Sequence, residues 1–218
     1  MDTTTHREKR AKRIYIGFAT FYCLLSAVLV VLYGIRRDFY HMGISLGTFA
    51  FPILLELVWR LPVCNRVWQL NCLILGFVFI AYPLGSCVDL FHWLPGFDKV
   101  AHTLSGTFVG ILALMLYYFL KPDHSIERGD MALAICFMLT TSIAVAGLWE
   151  IGEYLVSGIV GRDLQEVAAT GVADSMQDMI VCILGTLAVL PVAYHLCREQ
   201  RGLFSDMVRD FVAIQFGN

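Results

Sequence analysis

Six stretches of the chain, roughly 14 to 34, 41 to 59, 67 to 88, 98 to 120, 131 to 157 and 172 to 196, are each apolar over the length a helix needs to cross a bilayer. About 20 apolar residues cover a hydrocarbon core of about 30 Å, and inside that core only a helix or a closed barrel satisfies its own backbone groups. Each stretch is therefore predicted to be a transmembrane helix. Composition agrees. Of the 218 residues, 58% are hydrophobic and 16% charged, with a mean hydropathy of +0.68, as expected of an integral membrane protein rather than a soluble domain. The expected fold class is an all-α polytopic membrane bundle of six spans over 14–196, flanked by a basic tail, 1–13, and a C-terminal segment, 197–218.

Arg7, Lys9, Arg10, Lys12 and Arg13 precede the first stretch as they would a signal peptide. Its apolar core is too long, however, and no small-residue cleavage site follows, so it reads as a retained helix. Lys and Arg are held in short loops on the cytoplasmic side. With the N-terminus inside, the inner segments carry those five together with Arg60, Arg66, Lys121, Arg128, Arg198, Arg201 and Arg209, whereas the outer segments carry Arg36, Arg37, Lys99 and Arg162. An N-in, C-in topology is expected. Trp59, Trp68, Trp93 and Trp149 fall near span ends, where amphipathic rings sit at headgroup level.

Beyond the last span, Leu203, Phe204, Met207, Val208, Phe211, Val212 and Ile214 recur at helical spacing, with Asp206, Arg209 and Asp210 on another face. An amphipathic helix is predicted, either lying on the cytoplasmic interface or packed under the bundle. Gly43 with Gly47, and Gly106 with Gly110, have the spacing that permits close helix approach. The seven cysteines show no CxxC spacing and read as small buried hydrophobes. With a net charge of -2 and scattered basic residues, nothing suggests a nucleic-acid groove.

The acidic residues gather at one depth. In the expected topology Asp98 and His102 open the fourth span, Glu150 and Glu153 close the fifth, and Asp174 and Asp178 open the sixth, all at the extracytoplasmic edge. Positions three or four apart share a helix face, so three helices each offer two ligand-type side chains. Bundle-core metal sites are built in this way. Ionisable groups in a span need a partner or a water-filled cavity, and five carboxylates in one region repel unless protonated, solvated, matched by basic groups or bound to a cation. With Lys99 and Arg162 as the nearby positive charges, a bound divalent ion, or two, is the economical account. A charge at a helix N-terminus or a solvated span end explains any single pair without a metal.

Other polar residues carry less. Glu56, four before Arg60, is expected to form a local ion pair. Asp89 and His92 are candidates for supporting contacts, and Tyr154, Ser175 and Gln177 for orienting ligands, with ordinary interface polarity as the simpler reading. Arg162 and Lys99 are candidate anion-binding residues.

Oxygen-rich ligands with one imidazole suit Mg, Mn, Fe or Zn. Such a site points to metal-dependent hydrolysis of a lipid or lipid-linked substrate, with the catalytic carboxylate among Asp98, Glu150, Glu153 and Asp178. Two alternatives stand beside it: a cation- or proton-coupled transporter, and a scaffold or sensor with a structural metal. The segments "FDKVAHTLSGTFVG", "LWEIGEYL" and "GVADSMQDMIVCILG" together resemble the YjdF-type family of multi-spanning bacterial inner-membrane proteins. That resemblance implies a bacterial inner membrane and supplies no reaction. The D-K-x-x-H element is also similar to a helix start in VanZ-like membrane proteins.

Overall fold

The computed structural model describes residues 3–217, so the outermost ends of the two expected tails, 1–2 and 218, lie outside the described residues. The described residues form helices and connecting loops, with no strand among them. Six helices among them are long and apolar enough to cross a membrane: Thr3–Arg36, Phe39–Val58, Trp68–Cys87, Phe97–Leu120, Arg128–Val160 and Ala173–Cys197. The chain divides into two compact units. One runs to Phe97 and includes the last residues from Ala213; the other is Asp98–Val212.

In the first unit, α1 (Thr3–Arg36) begins well before the apolar stretch, because the basic segment holds good helix formers and neither Gly nor Pro. Hydropathy marks where a helix enters lipid, not where it starts. Its buried residues, Ala11, Tyr15, Tyr22, Ser26 and Leu29, form one stripe. Tyr15 and Tyr22 join Leu55 of α2 (Phe39–Val58) and Leu75 of α3 (Trp68–Phe79) in the core. The Asp38 carboxylate caps α2 by accepting from the His41 amide at 3.2 Å. Glu8 does the same for α3, accepting from the amides of Trp68 (2.6 Å) and Gln69 (3.2 Å). Glu56, which its spacing assigns to Arg60, instead accepts from Arg66. The connector between α2 and α3 brings Arg66 back over the end of α2, so proximity in the fold decides the pair.

Past Phe79 the third span widens into a π-helical segment, Ile80–Cys87, around Pro83. Proline lacks the N–H that would bond four residues back, and the wider turn accommodates that loss. Val88 accordingly donates to the Pro83 carbonyl, five residues back, at 2.9 Å. Gly85 on this segment faces the Phe91 ring of α4 (Leu90–Trp93); a Cβ there would fall 2.5 Å from it. Gly43 and Gly47 have nothing within 4 Å of an added Cβ, so that pair makes no close approach among the described residues.

The second unit contains α5 (Phe97–Leu120), α6 (Met131–Val160), α7 (Val167–Thr170), α8 (Ala173–Leu187), α9 (Leu190–Cys197) and most of α10 (Leu203–Phe216). Pro191 interrupts the sixth span between α8 and α9. α10 is amphipathic, and much of its apolar face is covered by protein: Met207, Val208, Phe211 and Val212 are buried, and the Phe211 ring meets that of Phe119 on α5. Leu203, at the start of the same face, is 77% exposed, so the helix packs through part of its apolar face and leaves the rest open. Arg209 ties α10 to the end of α9 by donating to the carbonyls of His195 (3.1 Å) and Leu196 (3.0 Å). All seven cysteines are free thiols; Cys87, Cys182 and Cys197 are buried and Cys136 is exposed.

Candidate metal centre

Small residues determine how closely α5 and α8 approach. A Cβ on Gly106 would fall 1.8 Å from the Cys182 carbonyl oxygen, and one on Gly185 would fall 1.9 Å from that of Thr103. Only glycine at both positions lets the two backbones touch. Hydroxyls finish the contact: Thr107 donates to the Gly185 carbonyl at 3.0 Å and Thr186 to the Gly106 carbonyl at 3.0 Å. Ser142 of α6 hydrogen-bonds Thr186, joining the third helix to this seam. Side-chain partners between α5 and α8 lie 75 to 80 residues apart in sequence. A nearly constant offset means that the helices run parallel and in register, with their N-terminal turns side by side.

One turn before Gly106 stands His102, and one turn before Cys182 stands Asp178. The seam therefore places them opposite each other. His102 Nε2 lies 3.4 Å from Asp98 Oδ1 and 3.8 Å from Asp178 Oδ2. Asp98, His102 and Asp178 each offer one ligand atom, and all three atoms fall within 4.8 Å of one another. Asp178 is buried, only 4% exposed, and the other two are half-buried. Lys99 reaches into the same group. Its Nζ donates to Asp98 Oδ2 at 3.1 Å, Asp174 Oδ1 at 2.6 Å and Asp178 Oδ1 at 2.6 Å.

Asp174 thus joins the cluster through Lys99, and Lys99 serves the aspartates directly. The two glutamates have other partners. Glu150 is buried on α6 and accepts from the Gln165 amide at 3.1 Å; the same amide group reaches the Glu150 carbonyl at 3.0 Å and the Ser175 hydroxyl at 3.3 Å. Glu153 accepts from the Trp149 indole at 2.9 Å and stands within electrostatic reach of Glu150, His102 and Asp98. Arg162 lies exposed on the turn after α6, just past Gly161, whose φ of 67° ends that helix. Asp163 caps α7. Tyr154 and Gln177 are exposed, while Asp89 and His92 pair with each other at 2.6 Å. Gln165 has no sequence signal: it is one of several polar residues in the loop after α6, and its contact spans 15 residues.

Three aspartates outnumber the one ammonium, so the cluster carries a negative charge that a bound cation would offset. The donor set, two carboxylate oxygens and a nitrogen, suits Mn, Fe or Zn, and Mg with more water in its shell.

Residues 18–199 match the family described as "Predicted membrane protein (DUF2238)". No curated protein and no solved structure matches the chain.

Proposed function

The chain belongs to this DUF2238 family of membrane proteins, and within that membrane setting we propose that Asp98, His102 and Asp178 hold one divalent ion in a metal-dependent hydrolase acting on a lipid or lipid-linked substrate. The observation that carries the reading is the convergence of three ligand atoms from two helices within 4.8 Å. Three protein ligands leave coordination positions open, as in catalytic rather than closed structural sites. An ion there would act as a Lewis acid and lower the pKa of a bound water. Glu153, within electrostatic reach of His102, is the candidate proton acceptor, and Arg162 is the candidate to steady an anionic headgroup, the Lys99 ammonium being taken up by the three aspartates. The Lys and Arg distribution supports placing the cluster at the extracytoplasmic edge, and the resemblance to YjdF-type proteins supports a bacterial inner membrane.

A site is favoured over a conduit. Beyond His102, α5 carries no Asp, Glu, Lys, Arg or His through Leu120, and from Met179 to Cys197 the sixth span carries only His195. A proton or cation path normally needs polar groups along its length.

The test is elemental analysis of the protein purified in detergent and incubated with Mg, Mn, Fe or Zn, alongside Asp98→Asn, His102→Ala and Asp178→Asn. One equivalent of metal in the parent, absent from variants that keep their helicity, supports the site. Absence of metal from the parent under every ion overturns it. Chelator-sensitive release of product from lipid phosphoesters then tests the hydrolytic step.

A further inference from the structure

A second feature belongs entirely to the first unit and is independent of the metal site. α1 contains 34 residues, about 51 Å of helix at 1.5 Å per residue. Its outward-facing apolar side chains begin at Ile14 and end at Ile35, a rise of about 32 Å, which matches the hydrocarbon core. The residues before Ile14 therefore extend the same rigid rod straight into the headgroup layer.

The exposed residues of the turn next to Ile14 are basic. Lys9, Arg10, Lys12 and Arg13 are exposed, while Ala11 between them is buried. At about 100° per residue, Lys9 and Arg13 project within about 40° of each other, opposite Ala11, and Arg10 and Lys12 flank them. The acidic residue among the described part of the segment, Glu8, does not neutralise this arc. Glu8 turns inward, bonded to the amides that open α3. The arc is anchored: the Lys12 ammonium lies 5.2 Å from the Trp68 ring centre, with the Arg66 guanidinium 4.9 Å from the same ring. Arg60, exposed on the connector to α3, adds a charge at this end of the unit.

We propose that this basic collar, Lys9, Arg10 and Arg13, with Arg60 on the connector to α3 adding to the charge, is a binding site for anionic phospholipid headgroups of the surrounding bilayer. Charge and depth both select that occupant. The cations begin one residue outside the hydrocarbon boundary, where lipid phosphates lie, and a helix capped against α3 presents them preformed. Attraction at a membrane surface decays within a Debye length.

The experiment counts lipids retained on the full-length protein by native mass spectrometry after equilibration with an equimolar mixture of dioleoyl phosphatidylglycerol and dioleoyl phosphatidylcholine. The parent should retain phosphatidylglycerol in excess, with the preference weakening as salt rises. Each neutralised charge should weaken retention about fivefold, so Lys9→Gln/Arg10→Gln/Arg13→Gln should bring the ratio close to one. Arg10→Lys/Arg13→Lys should keep the preference, and so should Arg36→Gln/Arg37→Gln, which alters the opposite end of α1. Equal retention by the parent, or an unchanged preference in the folded Gln variant, overturns the proposal.

Discussion

Lys99 sits where three aspartates would otherwise face one another. A Lys99→Met variant keeps much of the packing and removes the charge. In metal-free protein this should cost about 2 kcal/mol, less than breaking a fully buried pair because the ammonium remains partly exposed. Thermal unfolding should show the loss, and added Mn²⁺ should raise the Tm of the variant more than that of the parent; an equal rise in both would separate Lys99 from the ion site. The spacing of Asp98 and His102 on one helix was legible in the sequence, because i and i+4 share a face. The reach of Lys99 to Asp174 and Asp178, 75 and 79 residues away, was not. A long flexible side chain takes its partner from what the fold brings near it.

Elements decide whether Asp98, His102 and Asp178 meet. Gly106→Ala or Gly185→Ala places a methyl group against a backbone carbonyl that cannot turn aside, so α5 and α8 must separate. We expect destabilisation of about 3 kcal/mol, the upper range for overpacking, together with loss of metal from a protein whose ligands are all intact. A stable, metal-replete Gly106→Ala protein would sink that account. The spacing of Gly106 and Gly110 was visible in the sequence, yet Gly43 and Gly47 share it and make no close approach among the described residues, so the motif does not report its own use. The connector between α5 and α6 gives a pH signature. There Lys121 donates to Asp130 at 3.0 Å, and Ser125 donates to Asp123 from its hydroxyl at 2.7 Å and its amide at 3.3 Å. The hydrogen bonds from Ser125, with Lys121 adding to them, hold the Asp123 pKa below its ordinary value. Desolvation pulls the Lys121 pKa down, but its bonds to Asp130 and Asp123 outweigh this and raise it. Asp123 therefore stabilises the loop above its unfolded pKa of about 3.9 and loses that contribution as pH falls through the folded value. Lys121 contributes fully below about 10.4 and loses its contribution as pH rises through its raised value. Protection factors of the amides from Ser125 to Asp130 should be flat between these limits and drop at both ends; a drop near neutrality would assign loop order to another group.

At the scale of the molecule, the expected orientation is open to a direct measurement. In a cysteine-free background, Arg162→Cys should react with a membrane-impermeant maleimide in intact cells, and Arg128→Cys only after permeabilisation. The reverse pattern would invert the topology and move the acidic cluster to the cytoplasmic face. The sequence by itself determined six helices apolar enough to span, the helical class and the shared face of each acidic pair, because hydrophobic length and 3.6-residue periodicity are local properties of each segment. Only the tertiary structure decided which of these acidic and imidazole side chains converge. The parallel register of α5 and α8, set by backbone contact at two glycines, selected Asp98, His102 and Asp178, drew Asp174 in through Lys99, and left Glu150 to Gln165. Those choices depend on side chains some 15 to 79 residues apart, and no local pattern carries that information.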